Sequence, residues 1–343
     1  MEAINTSDKK AKFSLKSKLV DYAVLTKMRL ASLVVYSAGL GYGIALLSSD
    51  QLHFSWITFI YIILGGFLVT GSSNGYNQIM EKDSDAKMER TKNRPLPAGR
   101  MEKTEAIIVS TLLGLLGLFL LYQINYISFA LGLIALVSYV IIYTPLKKIT
   151  PISVFIGAFP GSIPPMIGYI AATGEFGFEP GILFLVQFVW QFPHFWAIAW
   201  KGSEDYKKGG YKMLPFGDVK DKKTAFIILF YTLFVIPTGM LPWVFGISGI
   251  TSMILAVLLG IYFIKPAIGL YKSLKDEDAL KLMFASFAYL PLIFLFLHMP
   301  LSKFCYHLFS FLPLKGSLLQ LWLTHLPRND LKNLERYELY WLF

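Results

Sequence analysis

The chain has 343 residues, 55% of them hydrophobic and only 16% charged, with 32 lysines and arginines against 22 acidic residues for a net charge of +10. Apolar runs that repeatedly reach the roughly 20 residues needed to cross hydrocarbon exclude a water-soluble globular domain and imply a polytopic membrane protein. A single cysteine, Cys305, excludes an intrachain disulfide and any cysteine-built metal cluster, and the basic surplus is too dispersed for a nucleic-acid surface.

Taken in chain order, the sequence opens on a basic segment, 1–20, with Lys9, Lys10, Lys12, Lys16 and Lys18. It has no short apolar stretch with a small-residue cleavage site, so no removable signal peptide is expected. Nine spans are then expected near 27–47, 54–77, 105–122, 125–144, 152–172, 181–200, 224–244, 247–265 and 281–299. Lysine and arginine crowd every second connection: 82–103, Lys147 with Lys148, 201–223, and Lys272 with Lys275. The connections between, near 48–53, 123–126, 173–180 and 245–247, carry none. This alternation puts the N-terminus and all basic loops on the cytoplasmic side. Glu2, Asp8 and Asp21, with no arginine before Arg29, disfavour a mitochondrial transit peptide, so a bacterial cytoplasmic membrane is expected.

The second span ends in Asn77-Gln-Ile-Met-Glu81-Lys-Asp-Ser-Asp85 and leads into a basic run holding Arg90, Asn93 and Arg94. On a helix, a spacing of four turns by about 40° and rises about 6 Å, so Asn77, Glu81 and Asp85 make one oxygen-bearing stripe. Such a stripe can hold Mg²⁺, and the neighbouring cations can hold phosphate oxygens. The alternative is a solvated helix end with ordinary salt bridges.

The fifth span contains Pro160, Pro164, Pro165 and several glycines and is expected to be too broken for a straight helix, leaving room for a bulky ligand. The sixth closes on Gln187, Gln191, His194, Lys201 and Asp205, which share about 80° of arc if the helix continues through Pro193. Polar groups at that depth should face a cavity. Asp85 and Asp205 each end the second helix of a four-helix stretch, which suggests a weak repeat, helices one to four echoed by five to eight, with the site between the halves.

Several of these residues together resemble the UbiA-type intramembrane prenyltransferases, and within them the haem-farnesylating branch. The resemblance rests on Asn77-x₃-Glu81-x₃-Asp85 with Arg90-Thr-Lys-Asn93-Arg94-Pro95-Leu-Pro97, on Trp190-Gln-Phe-Pro-His194-Phe-Trp, on Asp205-Tyr206-Lys-Lys-Gly209-Gly210, and on Met213-Leu-Pro215. Tyr143-Thr-Pro-Leu-Lys147-Lys148 and the Gly157 to Gly168 stretch fit the same branch. Glu81 stands where the superfamily usually has aspartate, and of its second acidic motif only Asp205 remains. That thinning disfavours acceptors such as 4-hydroxybenzoate.

The resemblance implies an all-α bundle over 21–299 with a central cavity open to the cytoplasmic side. It implies an activity that transfers a farnesyl group from farnesyl diphosphate to a vinyl group of haem b with addition of water. It also implies Mg²⁺ on Asn77, Glu81, Asp85 and Asp205, and a diphosphate neutralised by Lys27, Arg29, Arg90, Arg94 and Lys201, with Asn93 alongside. Trp190, Gln191 and His194 would face the acceptor, His194 orienting the haem. Haem A synthase or terminal-oxidase assembly would receive the product. A transporter for an anionic lipid or metabolite is the rival from another class, disfavoured because a carrier needs no carboxylate ladder beside arginines on one face only. Residues 300–343 alternate apolar patches with Lys315 and Arg328 to Lys332, do not resemble the family's end, and have no assigned role.

Overall fold

The computed structural model describes residues 15–49 and 51–297, and every regular element among them is helical. The nine expected spans all form: Met28–Ser48, Trp56–Asp85, Lys103–Ile124, Tyr126–Leu146, Ser153–Thr173, Phe178–Lys201, Lys222–Val244, Ile250–Ser273 and Asp276–Phe296. They are called the first to ninth spans below. The tail 300–343 and the first 14 residues, with Lys9, Lys10 and Lys12, lie outside the described residues.

Polarity is inverted relative to a soluble bundle. On the third span Leu112, Leu115, Leu116 and Phe119 are each more than half exposed, whereas on the second Ser72, Asn74, Asn77, Gln78, Glu81 and Asp85 are buried. Apolar side chains outward and polar ones inward is the arrangement a hydrocarbon solvent selects.

The first span packs on the second and the fifth, the second on the third, and the sixth on both the fifth and the ninth. Small residues set the distances. A Cβ on Gly41 would fall 2.1 Å from the Pro165 carbonyl oxygen, and one on Gly168 would fall 1.8 Å from that of Ala38. The first and fifth spans therefore cross backbone to backbone, a contact open only to glycine.

Three observations correct the expectations. The fifth span is one helix, Ser153–Thr173, despite Pro160, Pro164 and Pro165 inside it. The reason is local: Pro165 cannot donate to the Gly161 carbonyl, and Gln187 Nε2 donates to that carbonyl instead at 2.6 Å. Gln191 Nε2 donates to the Ala158 carbonyl at 3.0 Å, which Ser162 Oγ also reaches at 2.6 Å, and to Ser162 Oγ at 2.6 Å. Left unpaired at this depth, the Gly161 carbonyl would cost about 1–3 kcal/mol.

The second correction concerns the sixth span, which stops at Lys201 with Gly202 outside helical geometry, φ −93° and ψ 11°. A separate short helix, Ser203–Lys208, follows, so the stripe does not run on to Asp205. Third, a helix Leu15–Leu25 crosses the expected boundary at residue 20; its Lys18 pairs with Glu105 at 2.8 Å and its Asp21 with Arg100 at 3.0 Å.

The basic connections meet at one end of the bundle. Arg100 reaches Asp21, Lys212 N–H donates to the Lys147 carbonyl, Glu89 and Arg90 N–H groups reach Asp205, and Lys220 reaches Asp276. A cavity of about 280 Å³ lies between the spans, lined by the first to sixth and the ninth. The seventh and eighth spans contribute nothing to that lining, so the cavity does not lie between two equal four-helix halves.

Candidate active site

The polar mouth is assembled from four separate stretches of chain. The helix Leu15–Leu25 ends with carbonyls that have no partner in their own helix. Gln78 Nε2 donates to the Val24 and Leu25 carbonyls at 2.8 and 2.9 Å, and Asn74 Nδ2 to that of Thr26 at 3.0 Å. The next residue, Lys27, has φ +48°, a left-handed backbone that a lysine adopts only under constraint. This turn aims Lys27 Nζ at Asn77 Oδ1, 3.0 Å away.

Asn77 is held from its other side by donation to Thr144 Oγ1 at 3.3 Å. Thr144 belongs to the fourth span, whose Ser138–Tyr143 stretch widens into a π-helical turn. Pro145 cannot donate an N–H in the ordinary register, and Thr144 Oγ1 donates to the Tyr139 carbonyl five residues back at 2.9 Å. The wider turn sends Lys147 across to Glu81, with which it forms a close ion pair, its ammonium 4.9 Å from the Tyr143 ring centre and 5.4 Å from that of Tyr211.

One turn further along the second span, Asp85 Oδ2 takes a 2.7 Å ion pair from Arg94. Its other oxygen, Oδ1, is buried without a hydrogen-bond partner. Thr91 Oγ1 donates to the Asp85 carbonyl at 2.9 Å and so fixes the turn that returns Arg94 to the helix end.

Three cations, Lys27, Arg94 and Lys147, thus face two carboxylates, Glu81 and Asp85, and one neutral amide. The partner of Lys27 is the neutral Asn77. Lost water contact and the Arg94 and Lys147 charges push Lys27 down to about 7, with Glu81 and Asp85 pulling the other way. Burial, then the Glu81 charge, holds the Tyr211 hydroxyl well above the usual phenol range. With Lys27 protonated the mouth carries one cation more than its two carboxylates balance, in a poorly hydrated place where an arriving anion would favour that protonation.

The remaining expected residues are distributed differently. Lys201 is half exposed and 3.7 Å from Asp276, which Lys220 also holds at 2.8 Å, so it is not brought to the Glu81 and Asp85 pair. Asp205 accepts from the Glu89 and Arg90 backbone N–H groups at 2.9 and 3.0 Å. Burial opposes its ionisation, but those two N–H groups and the nearby Lys208 and Arg90 charges leave its carboxyl below the usual range. Among the described residues no three His, Cys, Asp or Glu side chains stand together as a metal site, so Asp205 does not complete a set with Glu81 and Asp85. Arg90 lies 5.6 Å over the Tyr206 ring, and Arg29 and Asn93 are exposed.

The cavity begins one turn below the mouth, at Asn74, Tyr139 and Tyr143, and is otherwise largely apolar. Its wall includes Leu30, Leu33 and Tyr36 of the first span and Phe287 of the ninth, all of which are also exposed on the outer surface. The cavity therefore opens sideways toward lipid between those two spans. At its inner wall Trp190 stacks on His194, ring centres 4.5 Å apart at 15°, and both residues reach Ser286 of the ninth span.

Lys147, Thr144, Tyr211 and Ser286 were not expected from the sequence. The proline beside Thr144 and the lysine just past a span end were signals for the first two; nothing in the pattern marks the others.

The prenyltransferase model described as the UbiA prenyltransferase family matches residues 34–297. A protein of Cytophaga hutchinsonii named protoheme IX farnesyltransferase is 50% identical over 273 residues, 79% of this chain and 94% of its own length. One of the same name from Flavobacterium psychrophilum is 47% identical over 299 residues, 85% and 96% of the two chains. Among solved structures, a digeranylgeranylglyceryl phosphate synthase superposes with a TM-score of 0.66 at 24% identity, covering 81% of this chain and 96% of its own. A UbiA homologue from Archaeoglobus fulgidus bound to GPP and Mg²⁺ superposes with a TM-score of 0.57 at 16% identity, covering 80% and 98%.

Proposed function

The chain belongs to the UbiA prenyltransferase family, and from that premise we propose that it transfers a farnesyl group from farnesyl diphosphate to a vinyl group of haem b, with addition of water. The observation that carries the reading is the joining of Lys27, Asn77, Glu81, Asp85, Arg94 and Lys147 into one cation-rich mouth over a cavity open to lipid. Both substrates have an apolar body and an anionic end, which suits a cation-rich mouth set over a largely apolar cavity.

The residues fit a divalent cation. Asp85 Oδ1 is buried without a hydrogen-bond partner, Glu81 and Asn77 lie on the same face, and Mg²⁺ commonly uses one or two carboxylates plus substrate phosphate oxygens. Glu81 and Asp85, with Asn77, would hold it, and when bound it would offset the charge that develops on the leaving diphosphate. The cations now on those carboxylates, Arg94 and Lys147, together with Lys27, would turn to the diphosphate oxygens.

As the allylic carbon–oxygen bond breaks, Tyr139 and Tyr143, which line the cavity top, are the aromatic side chains nearest the mouth to shelter the cationic carbon. The vinyl group supplies the electron pair for the new carbon–carbon bond, and water adds to the haem-side cation, releasing a proton. Gln187 and Gln191 stay on backbone carbonyls and keep the wall closed. The alternation of basic loops supports the N-terminus and the mouth on the cytoplasmic side, and an N-terminal stretch with Glu2, Asp8 and Asp21 and no arginine before Arg29 supports a bacterial cytoplasmic membrane. The product would pass to haem A synthase or to terminal-oxidase assembly.

The test is incubation of membranes containing the protein with haem b, farnesyl diphosphate and Mg²⁺, followed by mass analysis of the haems. Gain of one farnesyl group plus water, lost with EDTA, is the expected result. Unchanged haem from folded protein that instead prenylates 4-hydroxybenzoate would overturn the acceptor.

A further inference from the structure

His194 lies mid-span in the cavity wall, and its hydrogen bonding defines which of its nitrogens is available. Nδ1 is 2.7 Å from Ser286 Oγ. Ser286 Oγ is also 2.5 Å from the Met283 carbonyl oxygen, a group that can only accept. A serine hydroxyl has one proton. If that proton pointed at Nδ1, two oxygens would face each other at 2.5 Å with no hydrogen between them. Both bonds form only when Ser286 donates to Met283 and Nδ1–H donates to Ser286. Nδ1 therefore bears a proton, so the neutral imidazole is the Nδ1–H tautomer, with the lone pair on Nε2.

The ring is also fixed in orientation. Trp190 stacks on one face at 4.5 Å, Phe287 meets it edge-on at 5.1 Å, and Phe195 leans on it at 5.5 Å. Trp190 is itself anchored through Nε1 to the Ser286 carbonyl at 2.8 Å. Ser286 is fully buried and thus holds both members of the stacked pair. A lone pair on a locked imidazole in a largely apolar cavity suits a metal centre delivered by the ligand, since ligation there needs no proton to leave.

We propose that His194 Nε2 is an axial ligand to the iron of the haem acceptor, and that Ser286 is the positioning residue that sets its tautomer and direction. This rests on the reading of haem b as acceptor. The iron–nitrogen bond would hold the macrocycle against the inner wall during transfer, leaving its edge, which bears the vinyl groups, free to approach the mouth. Ligation donates the Nε2 pair to iron and involves no change of oxidation state. A serine on one helix and a histidine on another would in this way fix the depth of a large, nearly symmetric substrate that apolar packing alone would let slide.

The experiment uses the full-length protein in detergent, titrated with haem b and separately with iron-free protoporphyrin IX, with resonance Raman spectra of the reduced haem complex and haem farnesylation measured on the same preparations. Expected for the wild type is an iron–imidazole stretching band. In His194→Ala that band disappears and haem b binds at least about tenfold more weakly, while protoporphyrin IX binds as in the wild type and reports an intact fold. Ser286→Ala should weaken haem b binding by about tenfold and lower the band's frequency, because Nδ1–H loses its acceptor. Ser286→Thr, which keeps the hydroxyl, should restore both. A wild type that farnesylates haem b yet shows no such band, or the same band in His194→Ala, overturns the ligation while leaving the acceptor in place. A wild type that farnesylates no haem b overturns the acceptor reading itself.

Discussion

The mouth and the cavity wall hold their polar groups in opposite ways. At the mouth, side chains pair with one another: Arg94 with Asp85, Lys147 with Glu81, Lys27 with Asn77. In the wall, side chains pair chiefly with backbone: Gln187 with Gly161, Gln191 with Ala158, Trp190 with Ser286. Charges that pair with each other can exchange partners when a polyanion and a cation arrive. An amide bound to a carbonyl freed by proline, as Gln187 is to that of Gly161, cannot leave without exposing it. One region is built to rearrange on binding, the other to keep its shape.

That contrast is most directly broken at Asp85. Asp85→Asn keeps the size and one acceptor but removes the charge that Arg94 and the proposed cation share. Farnesyl transfer should fall by about 10²–10³-fold with little loss of folded protein, as when a group that acts mainly in the transition state is removed. An asparagine variant within a few fold of wild type in kcat/KM would mean that the mouth does not exchange partners as argued.

Asp205 sharpens the same comparison, since it sits beside the mouth but binds backbone like a wall residue. If it is an anchor for the turn at Glu89 and Arg90, Asp205→Asn should cost about tenfold, because a misplaced positioning loop is felt at the chemistry. The Mg²⁺ concentration for half-maximal rate should not change. A raised Mg²⁺ requirement with a loss as large as at Asp85 would place the carboxylate among the metal ligands in the working enzyme.

In the wall the expected effect is on stability. Gln187→Leu leaves the Gly161 carbonyl without a donor inside the fifth span and should destabilise the protein by about 1–3 kcal/mol, read as a lower melting temperature in detergent. The Michaelis constant for farnesyl diphosphate should stay within twofold. A large change in that constant with an unaltered melting temperature would reverse the roles given to the two regions.

What the sequence made legible follows the same division. The nine spans were visible because hydrocarbon demands long apolar runs, but hydropathy marks the bilayer and not the helix. The second span runs on to Asp85 and the eighth to Ser273, past expected ends at 77 and 265. The stripe of Asn77, Glu81 and Asp85 was visible because i, i+4 spacing is a property of one helix. Lys147 was not assigned to it, because its approach to Glu81 depends on a π-helical turn and on packing between two spans. The fifth span stays one helix across Pro160, Pro164 and Pro165, and the donor to the Gly161 carbonyl that Pro165 frees comes from another helix, out of reach of a reading of one segment. Ser286 is an ordinary serine in an apolar segment until the ninth span is set against the sixth.

The smallest effect is expected at Lys201. Spacing put Lys201 on one face with Gln191 and His194, and the helix does run through Pro193 to Lys201, but it ends there and does not carry the stripe on to Asp205. Gly202 leaves helical geometry, and the lysine turns out to be half exposed, 3.7 Å from an Asp276 that Lys220 already holds at 2.8 Å. An exposed pair at that distance is worth about 0–1 kcal/mol, and its loss is covered by the second lysine. Lys201→Ala should therefore leave kcat and the Michaelis constant for farnesyl diphosphate within about twofold of wild type. A selective rise in that constant would show that binding draws Lys201 across to the diphosphate. The sixth span's end would then belong with the mouth, as a region that changes partners, and not with the wall that its own helix builds.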